Sequence, residues 1–271
     1  MAVAEDSRGA SAPERREALK AVWHEARSCE RCALAATRTT VVFGAGDADA
    51  DLMFVGEAPG RHEDAQGLPF VGQAGKLLDS LLGEIGLERA DVFIANVLKC
   101  RPPGNRDPLP GEIEACAGYL RSQVALIQPR VICTLGNFAT KLLRQSPEGI
   151  SRVHGRAEIR VVAGRAVRLY PVFHPAAALY NRATGVPQLQ EDFARLPELL
   201  ALPPVPQPEP AAPEGGEAAS DAAAADGNPA AAAPDGRSAT QAAAAPEPAP
   251  APPSAPGDGG ASPSEEQLGL F

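Results

Sequence analysis

The 271-residue chain has a formal net charge of −9, but this charge is unevenly distributed. From residue 201 onward ten acidic residues accompany a single arginine, so the first 200 residues are balanced and the acidity does not exclude binding to nucleic acid. No segment approaches the ~18 consecutive apolar residues of a membrane span, and the N-terminus lacks the apolar stretch of a secretion signal. We therefore expect a cytoplasmic protein.

The first 200 residues contain apolar patterns typical of helices and strands, which alternate along the chain. Helices are predicted at residues 13–27, 73–85, 112–127, 137–143 and 188–200. Strands are predicted at residues 51–55, 91–98, 130–135 and 167–173. This alternation predicts an α/β fold built on a mainly parallel four-stranded sheet.

Polar residues follow three of the predicted strands near their carboxyl ends. Glu57 follows Gly56 after the first strand, Asn96 lies late in the second, and His174 follows the fourth. Because ligands bind at the carboxyl ends of parallel strands, these residues predict a common site. Taken singly, each has another interpretation: Glu57 could cap a loop, Asn96 could form a turn, and His174 could be a structural histidine.

Four of the five cysteines have the spacing of a metal site. Cys29 and Cys32 form a C-x2-C pair, and Cys100 and Cys116 lie farther along the chain. Four thiolates suit either zinc or an iron–sulfur cluster, and the spacing alone leaves both open. Cys133 lies inside the apolar run VICTL and is predicted to be a buried free thiol. Disulfides are not expected in a cytoplasmic protein.

The segment between Cys100 and Cys116 is rich in proline, glycine and arginine. A metal centre would clamp this segment, and Arg101 and Arg106, with Lys99 beside them, would then form a basic cluster facing DNA phosphates. The alternative is a solvated loop without a partner.

Three blocks of sequence resemble the motifs of the iron–sulfur uracil-DNA glycosylases, known as family 4. The blocks are Gly56-Glu57-Ala58-Pro59-Gly60 with Glu63-Asp64 and Gly67-Leu68-Pro69-Phe70-Val71-Gly72, then Asn96-Val97-Leu98-Lys99-Cys100-Arg101-Pro102-Pro103, then Phe173-His174-Pro175. The four cysteines lie where this family has its 4Fe-4S ligands. The resemblance covers roughly residues 29–196. It implies a bacterial base-excision repair enzyme with a three-layer α/β sandwich around the predicted sheet.

The resemblance also implies how uracil is bound. The base is flipped out of the DNA into a pocket, because its glycosidic bond is inaccessible in the stack. Phe70 would stack on the uracil ring, and Asn96 would read its O4 and N3–H edge with one donor and one acceptor. Glu63 and Ala58 would also belong to the uracil-binding site, where Glu63 would shape the pocket floor or help to exclude thymine.

The same resemblance assigns the catalytic roles. His174 would donate a hydrogen bond to uracil O2 as negative charge builds on the leaving base. Ala58 stands where related uracil glycosylases have an Asp that handles the water, so that role falls to Glu57. Gly60 stands where they have a Tyr that blocks the methyl group of thymine. No Arg-rich insert with a histidine follows Asn96, so we expect turnover rather than a covalent adduct.

After Leu202 the sequence consists mainly of Ala, Pro, Gly, Ser and acidic residues, and 15 of the 28 prolines lie there. A catalytic domain is therefore predicted at residues 1–202 and a disordered linker at 203–266. The last five residues resemble the bacterial sliding-clamp-binding pentapeptide, which implies docking on the clamp through Gln267, Leu268, Leu270 and Phe271. The alternative is a chance hydrophobic terminus.

The pattern thus predicts a monomeric, monofunctional glycosylase that carries a 4Fe-4S cluster and acts on uracil-containing DNA at the nucleoid. A non-catalytic iron–sulfur module, binding DNA or a polymerase and recruited to the clamp, would share the cysteines and the tail. A zinc-stabilised nucleotide-binding enzyme is less favoured, because the sequence lacks a G-x-x-x-x-G-K loop.

Overall fold

The computed structural model describes residues 10–208. The helices are α1 (Ala12–Arg27), α2 (Arg61–Gln66), α3 (Gln73–Glu84), α4 (Pro110–Ile127), α5 (Asn137–Arg144), α6 (Ile150–Val153), α7 (Pro175–Tyr180), α8 (Arg182–Phe193) and α9 (Leu196–Ala201). The strands are β1 (Ala45–Gly46), β2 (Leu52–Gly56), β3 (Phe93–Asn96), β4 (Val131–Leu135), β5 (Glu158–Val162) and β6 (Arg165–Val172). Short 3-10 turns lie at Ala33–Ala36, Arg89–Asp91 and Pro103–Asn105.

The strands of the described region form one sheet in the order β1-β3-β2-β4-β6-β5. The four central strands are parallel, and the two edge strands pair antiparallel to their neighbours. The central strands are the four that the sequence predicts, so the predicted parallel sheet is confirmed. The edge strands were missed because β1 has two residues and β5 is an edge strand with exposed apolar side chains.

Successive side chains of the central strands point to opposite faces and pack into two separate cores. On β2, Met53 belongs to the core shared with α1 and α4, whereas Phe54 belongs to the core shared with α3, α7 and α8. Trp23 of α1 is 4% exposed in the first core, and Phe54 stacks on Phe193 at 5.7 Å in the second. Helices therefore cover both faces of the sheet, which gives the three-layer α/β sandwich.

Four of the five predicted helices are confirmed with closely matching bounds. The fifth, predicted as one helix over residues 188–200, is wrong, because α8 ends at Phe193 and α9 begins at Leu196. Pro197 lies in the first turn of α9, where its missing N–H has no helical partner to lose.

The chain stays attached to the sheet beyond Leu202, where the sequence predicts the start of a linker. Arg168 Nη2 donates to the carbonyl of Pro203 at 2.5 Å. Gln207 is held to the backbone of Ala166 in both directions: its Nε2 donates to the carbonyl at 2.9 Å, and its Oε1 accepts the N–H at 3.1 Å. The rest of the predicted linker and the predicted docking peptide at 267–271 lie outside the described residues. Among the helices of residues 10–208, none has the length and hydropathy needed to cross a membrane.

Candidate active site and cysteine cavity

The carboxyl ends of β2 and β3 meet at the predicted site. Gly56 is paired with Asn96 in the parallel register, and the Gly56 carbonyl accepts the N–H of Val97 at 2.9 Å. A Cβ at Gly56 would lie 2.4 Å from the Asn96 side-chain oxygen and 3.0 Å from Cζ of Phe70. Position 56 therefore requires glycine, because an amide and an aromatic ring both approach its Cα.

Asn96 is buried, with 2% of its surface exposed, at the last position of β3. Its backbone carbonyl accepts a hydrogen bond from Lys99 Nζ at 2.8 Å. Within residues 10–208 its side-chain amide makes no hydrogen bond, which leaves one donor group and one acceptor for a ligand. A ligand at this strand end could therefore receive one hydrogen bond from the amide and donate another to it.

Phe70 is a buried loop residue whose ring stacks on His174, with centroids 5.6 Å apart and planes inclined by 26°. Its φ of 53° lies in the left-handed region, which costs an L-residue about 1–2 kcal/mol. The α3 backbone packs so tightly against this loop that a Cβ at Gly75 would lie 1.7 Å from the Phe70 carbonyl oxygen. The strained loop therefore needs external support.

That support comes from Glu63 and Arg89. The Glu63 carboxylate accepts the N–H groups of Gly60 at 3.1 Å, Val71 at 3.0 Å and Gly72 at 3.1 Å. Arg89 Nη1 donates to the Pro69 carbonyl at 2.9 Å, and its Nη2 donates to the Phe70 carbonyl. Both Glu63 oxygens are thus engaged by the backbone, which fits the predicted role of shaping the pocket rather than touching a base.

His174 follows β6 and forms the N-cap of α7, where its Nδ1 accepts the N–H of Ala176 at 3.1 Å. Burial lowers the pKa of His174 to about 4, while the negative charge of Glu63 acts in the opposite direction. The imidazole is therefore neutral near pH 7, and because Nδ1 accepts, the proton is on Nε2. His174 is consequently a neutral hydrogen-bond donor.

Glu57 follows β2 and lines an open groove together with His174, Asp107, Gly136 and Lys141. Burial raises the pKa of the Glu57 carboxyl above its ordinary value, and the negative charge of Asp107 adds to this rise. A partly desolvated carboxylate is a stronger base than one in water.

The remaining predicted residues lie beside this groove rather than along it. Phe70 and Asn96 are not among the residues that line the open groove. Phe70 stacks on the lining residue His174, and Asn96 lies against Gly56, which directly precedes the lining residue Glu57. Ala58 is partly buried and packs against the core.

Cys29, Cys32, Cys100 and Cys116 all line one cavity, together with Arg31, Arg38, Lys99 and Tyr119. Cys133 lies in the opposite core, and all five cysteines are free. No group of three or more His, Cys, Asp or Glu side chains that could hold a metal ion is found among residues 10–208. The predicted four cysteines thus share a cavity without forming a compact single-ion site.

Nitrogen donors point at the sulfur atoms of this cavity. Arg31 Nε donates to Cys29 Sγ at 3.4 Å, Arg38 Nη1 approaches Cys100 Sγ at 3.6 Å, and the Lys99 backbone N–H donates to Cys116 Sγ at 3.3 Å. Such donors stabilise thiolates, and N–H···S bonds are typical of iron–sulfur sites. The donor set therefore fits a thiolate-ligated metal centre.

The predicted basic cluster is only partly present at the surface. Arg101 Nε donates to Asn105 Oδ1 at 2.7 Å on an exposed loop. Arg106 makes two hydrogen bonds, of 2.9 and 2.6 Å, to Glu112, which also caps the start of α4. Lys99 is 1% exposed, so its assignment to a basic surface was wrong.

Sequence reasoning missed three residues that support the site. Arg89 holds the Phe70 loop, Lys99 bonds the Asn96 carbonyl, and Asp64 accepts the N–H groups of Thr39 at 2.9 Å and Thr40 at 3.4 Å. No local pattern marks Arg89, because its partners lie about 20 residues away along the chain. The only available signal for Lys99 and Asp64 was their place inside the motif blocks.

The model of the uracil DNA glycosylase superfamily matches residues 43–197. The chain is 47% identical over 191 residues to the type-4 uracil-DNA glycosylase of Archaeoglobus fulgidus, covering 68% of this chain and 94% of that protein. It is 45% identical over 192 residues to the type-4 uracil-DNA glycosylase of Saccharolobus solfataricus, covering 69% and 88% respectively. The type-4 uracil-DNA glycosylase of Thermotoga maritima is 44% identical over 170 residues, covering 62% and 87%.

The chain belongs to the type-4 uracil-DNA glycosylases. In this type-4 enzyme, Glu57, Phe70, Asn96 and His174 all lie inside the superfamily match. The Cys29–Cys32 segment precedes that match, whereas Cys100 and Cys116 lie within it. The cysteine cavity therefore joins an N-terminal segment to the domain that carries the strand-end site.

Proposed function

We propose that this enzyme hydrolyses the N-glycosidic bond of uracil in DNA and leaves an abasic site. The observation that carries the proposal is His174, whose ring stacks on Phe70 and whose Nδ1 accepts the Ala176 N–H, which leaves Nε2 as the donor. The free amide of Asn96 lies at the same edge of the sheet. A donor, an aromatic face and an amide are the groups needed to bind a flat base that has two carbonyls and an N–H.

The Asn96 amide supports a choice of uracil over cytosine. Its NH₂ group can donate to O4 and its oxygen can accept N3–H, whereas cytosine presents the opposite donor and acceptor pattern at these atoms. The wrong base would leave buried polar groups unpaired, which costs more than a good hydrogen bond contributes. Phe70 supplies a stacking face that does not distinguish the bases.

In this proposal the glycosidic bond is cleaved with the help of His174 and Glu57, which both line the groove. The C1′–N1 bond breaks and its electron pair moves onto the base, whose O2 accepts a hydrogen bond from His174 Nε2–H. The sugar becomes oxocarbenium-like, and the nearby Glu57 carboxylate stabilises it and orients a water. The water oxygen bonds to C1′, and Glu57 takes its proton.

We further propose that the cysteine cavity holds a 4Fe-4S cluster ligated by Cys29, Cys32, Cys100 and Cys116. Support comes from the four free thiols around one cavity, their N–H donors and the family to which the chain belongs. When bound, the cluster would supply four iron–thiolate bonds that join the N-terminal segment to the 100–116 loop. Arg101 on that loop would contact DNA phosphates, with Arg106 beside it.

The C-terminal residues suggest how the enzyme reaches its substrate. Residues 1–202 would form a monomeric catalytic domain that acts at the nucleoid, with Pro203 and Gln207 held against its sheet. The rest of the predicted linker at residues 203–266 would tether this domain to the sliding clamp through Gln267, Leu268, Leu270 and Phe271. The support is the sequence pattern alone, since a short apolar group ends a long polar segment. A tether of this kind raises the local concentration of an enzyme at newly made DNA.

The glycosylase proposal is tested by a single-turnover assay on a labelled oligonucleotide with one uracil, followed by alkali to break abasic sites. Wild-type protein should break the strand at the uracil, and Asn96→Ala and His174→Ala should do so roughly a hundredfold more slowly. His24→Ala, on the exposed side of α1, is the matched control and should cleave as wild type does. Absence of cleavage by cluster-loaded wild type would favour the non-catalytic DNA-binding module instead.

The tether is tested separately by deleting residues 267–271. The deletion should abolish binding to purified clamp and leave cleavage of free oligonucleotides unchanged, because the catalytic domain is intact. Clamp binding by the truncated protein would contradict the proposal.

A further inference from the structure

Lys99 is a buried cation that lies between the strand-end site and the cysteine cavity. Its side chain is 1% exposed, and its Nζ donates to the Asn96 carbonyl at 2.8 Å and to Gln123 Oε1 at 2.6 Å. Gln123 is itself fully buried, and its Nε2 donates to the Phe43 carbonyl at 2.8 Å. The ammonium also lies 5.9 Å from the centre of the Phe43 ring. Its position is therefore closely defined.

The hydrogen-bond acceptors of this ammonium, within the described part of the chain, are neutral oxygens. A buried ammonium without a counter-charge is strongly unfavourable. Lys99 lines the same cavity as all four cysteines, whose thiolates would supply the counter-charge once they ligate a metal centre. The backbone of Lys99 is part of the same arrangement, because its N–H donates to Cys116 Sγ at 3.3 Å.

The ammonium of Lys99 also fixes the peptide unit that follows Asn96. The N–H of this unit belongs to Val97 and donates to the Gly56 carbonyl at 2.9 Å. The C=O of the same unit accepts from Lys99 Nζ at 2.8 Å. With both polar atoms held, the peptide plane is fixed, and the direction in which the Asn96 side chain leaves the backbone is fixed with it.

We propose that Lys99 is a positioning residue that couples the thiolate-ligated metal centre to the uracil-reading amide of Asn96. The thiolates supply the charge that holds the ammonium in the core, and the ammonium orients the strand end. The coupling acts in both directions, since the same positive charge bears on the metal centre. This inference rests on the proposed function, because it assigns the uracil-reading role to Asn96.

The test uses the cluster-loaded, full-length protein and the substitution Lys99→Met, which keeps an unbranched stem and removes the charge. Two readouts are measured: the single-turnover cleavage rate at saturating enzyme, and the reduction potential of the cluster. We expect cleavage to slow roughly ten- to a hundredfold with little change in affinity for uracil-containing DNA. We expect the potential to become more negative, because a buried positive charge beside the thiolates is lost. Lys76→Met, on the exposed side of α3, is the matched control and should change neither.

Wild-type cleavage and potential in loaded Lys99→Met would overturn the proposal. If that variant does not retain its cluster, Gln123→Met decides, because it removes one anchor of the ammonium and leaves the charge in place. Slower cleavage at full cluster occupancy would support the coupling, and a wild-type rate would refute it. If wild-type protein itself fails to cleave uracil-containing DNA, the proposed function fails, whereas the potential of Lys99→Met still reports whether the charge acts on the metal centre.

Discussion

The imidazole of His174 stacks on the ring of Phe70 at 5.6 Å, with the two planes 26° apart. This contact joins the end of β6 to a loop that follows α2, two segments about one hundred residues apart in the sequence. An aromatic face and a neutral donor are thereby held side by side. The contact depends on both the protonation state of His174 and the conformation of the Phe70 loop.

The pH dependence of His174 follows from its pKa, which burial lowers to about 4 from an ordinary value of 6.5. The folded state therefore binds this proton more weakly than the unfolded state does. Above pH 6.5 the imidazole is neutral in both the folded and the unfolded state. As the pH drops from 6.5 towards 4, only the unfolded state takes up the proton, and the free energy of unfolding falls by up to about 3 kcal/mol. Denaturant unfolding at several pH values should show this loss in wild type and not in His174→Gln. Equal pH slopes in the two proteins would contradict the assignment.

The close approach at Gly56 predicts the effect of adding one methyl group. Gly56→Ala should displace the Asn96 amide and slow uracil cleavage roughly a hundredfold, because the new Cβ would lie 2.4 Å from the amide oxygen. Gly83→Ala in α3 is the control, since nothing lies within 4 Å of its Cβ position. This control should keep full activity and gain about 0.5–1 kcal/mol of stability. A fully active Gly56→Ala would show that the amide is not held where the structure has it.

The role of Glu63 can be separated from direct contact with uracil. Glu63→Gln keeps the shape of the side chain but replaces one acceptor oxygen by a donor, so at least one of three backbone N–H groups loses its partner. We expect a loss of about 1–3 kcal/mol in the free energy of unfolding, measured with denaturant. The 60–72 loop should also be cut faster by protease. The exposed Glu114→Gln should change neither property, and unchanged stability of Glu63→Gln would contradict the bracing role.

Arg101 and Arg106 should respond differently to replacement by alanine. Arg101→Ala should weaken DNA binding and reduce the slope of log affinity against log salt by about one, because one phosphate contact is lost. Arg106→Ala should chiefly lower the melting temperature, since its guanidinium holds the carboxylate that caps α4. Fluorescence anisotropy at several salt concentrations and thermal unfolding measure the two effects. A salt slope unchanged by Arg101→Ala would exclude the phosphate contact.

Much of the fold was readable from local pattern. Each of the four parallel strands buries one face or both, and its apolar pattern is visible in its own short segment of sequence. The same holds for helices α1, α3, α4 and α5. The edge strand β5 was not predicted, because its apolar residues Ile159 and Val161 are exposed rather than packed in a core. The division between α8 and α9 was not predicted, because both helices bury apolar residues and the apolar pattern therefore continues across the break.

The sequence by itself determined which residue types are available for chemistry: a glutamate after one strand, an asparagine at the end of the next, a histidine after the last and four spaced cysteines. Only the tertiary structure decided their states. The neutral tautomer of His174 depends on burial and on the Ala176 N–H, and the Phe70 loop depends on Arg89. Lys99 became a buried link rather than a surface charge for the same reason. Protonation and orientation are set by neighbours distant in the chain, whose distances and desolvation exist only once the chain is folded.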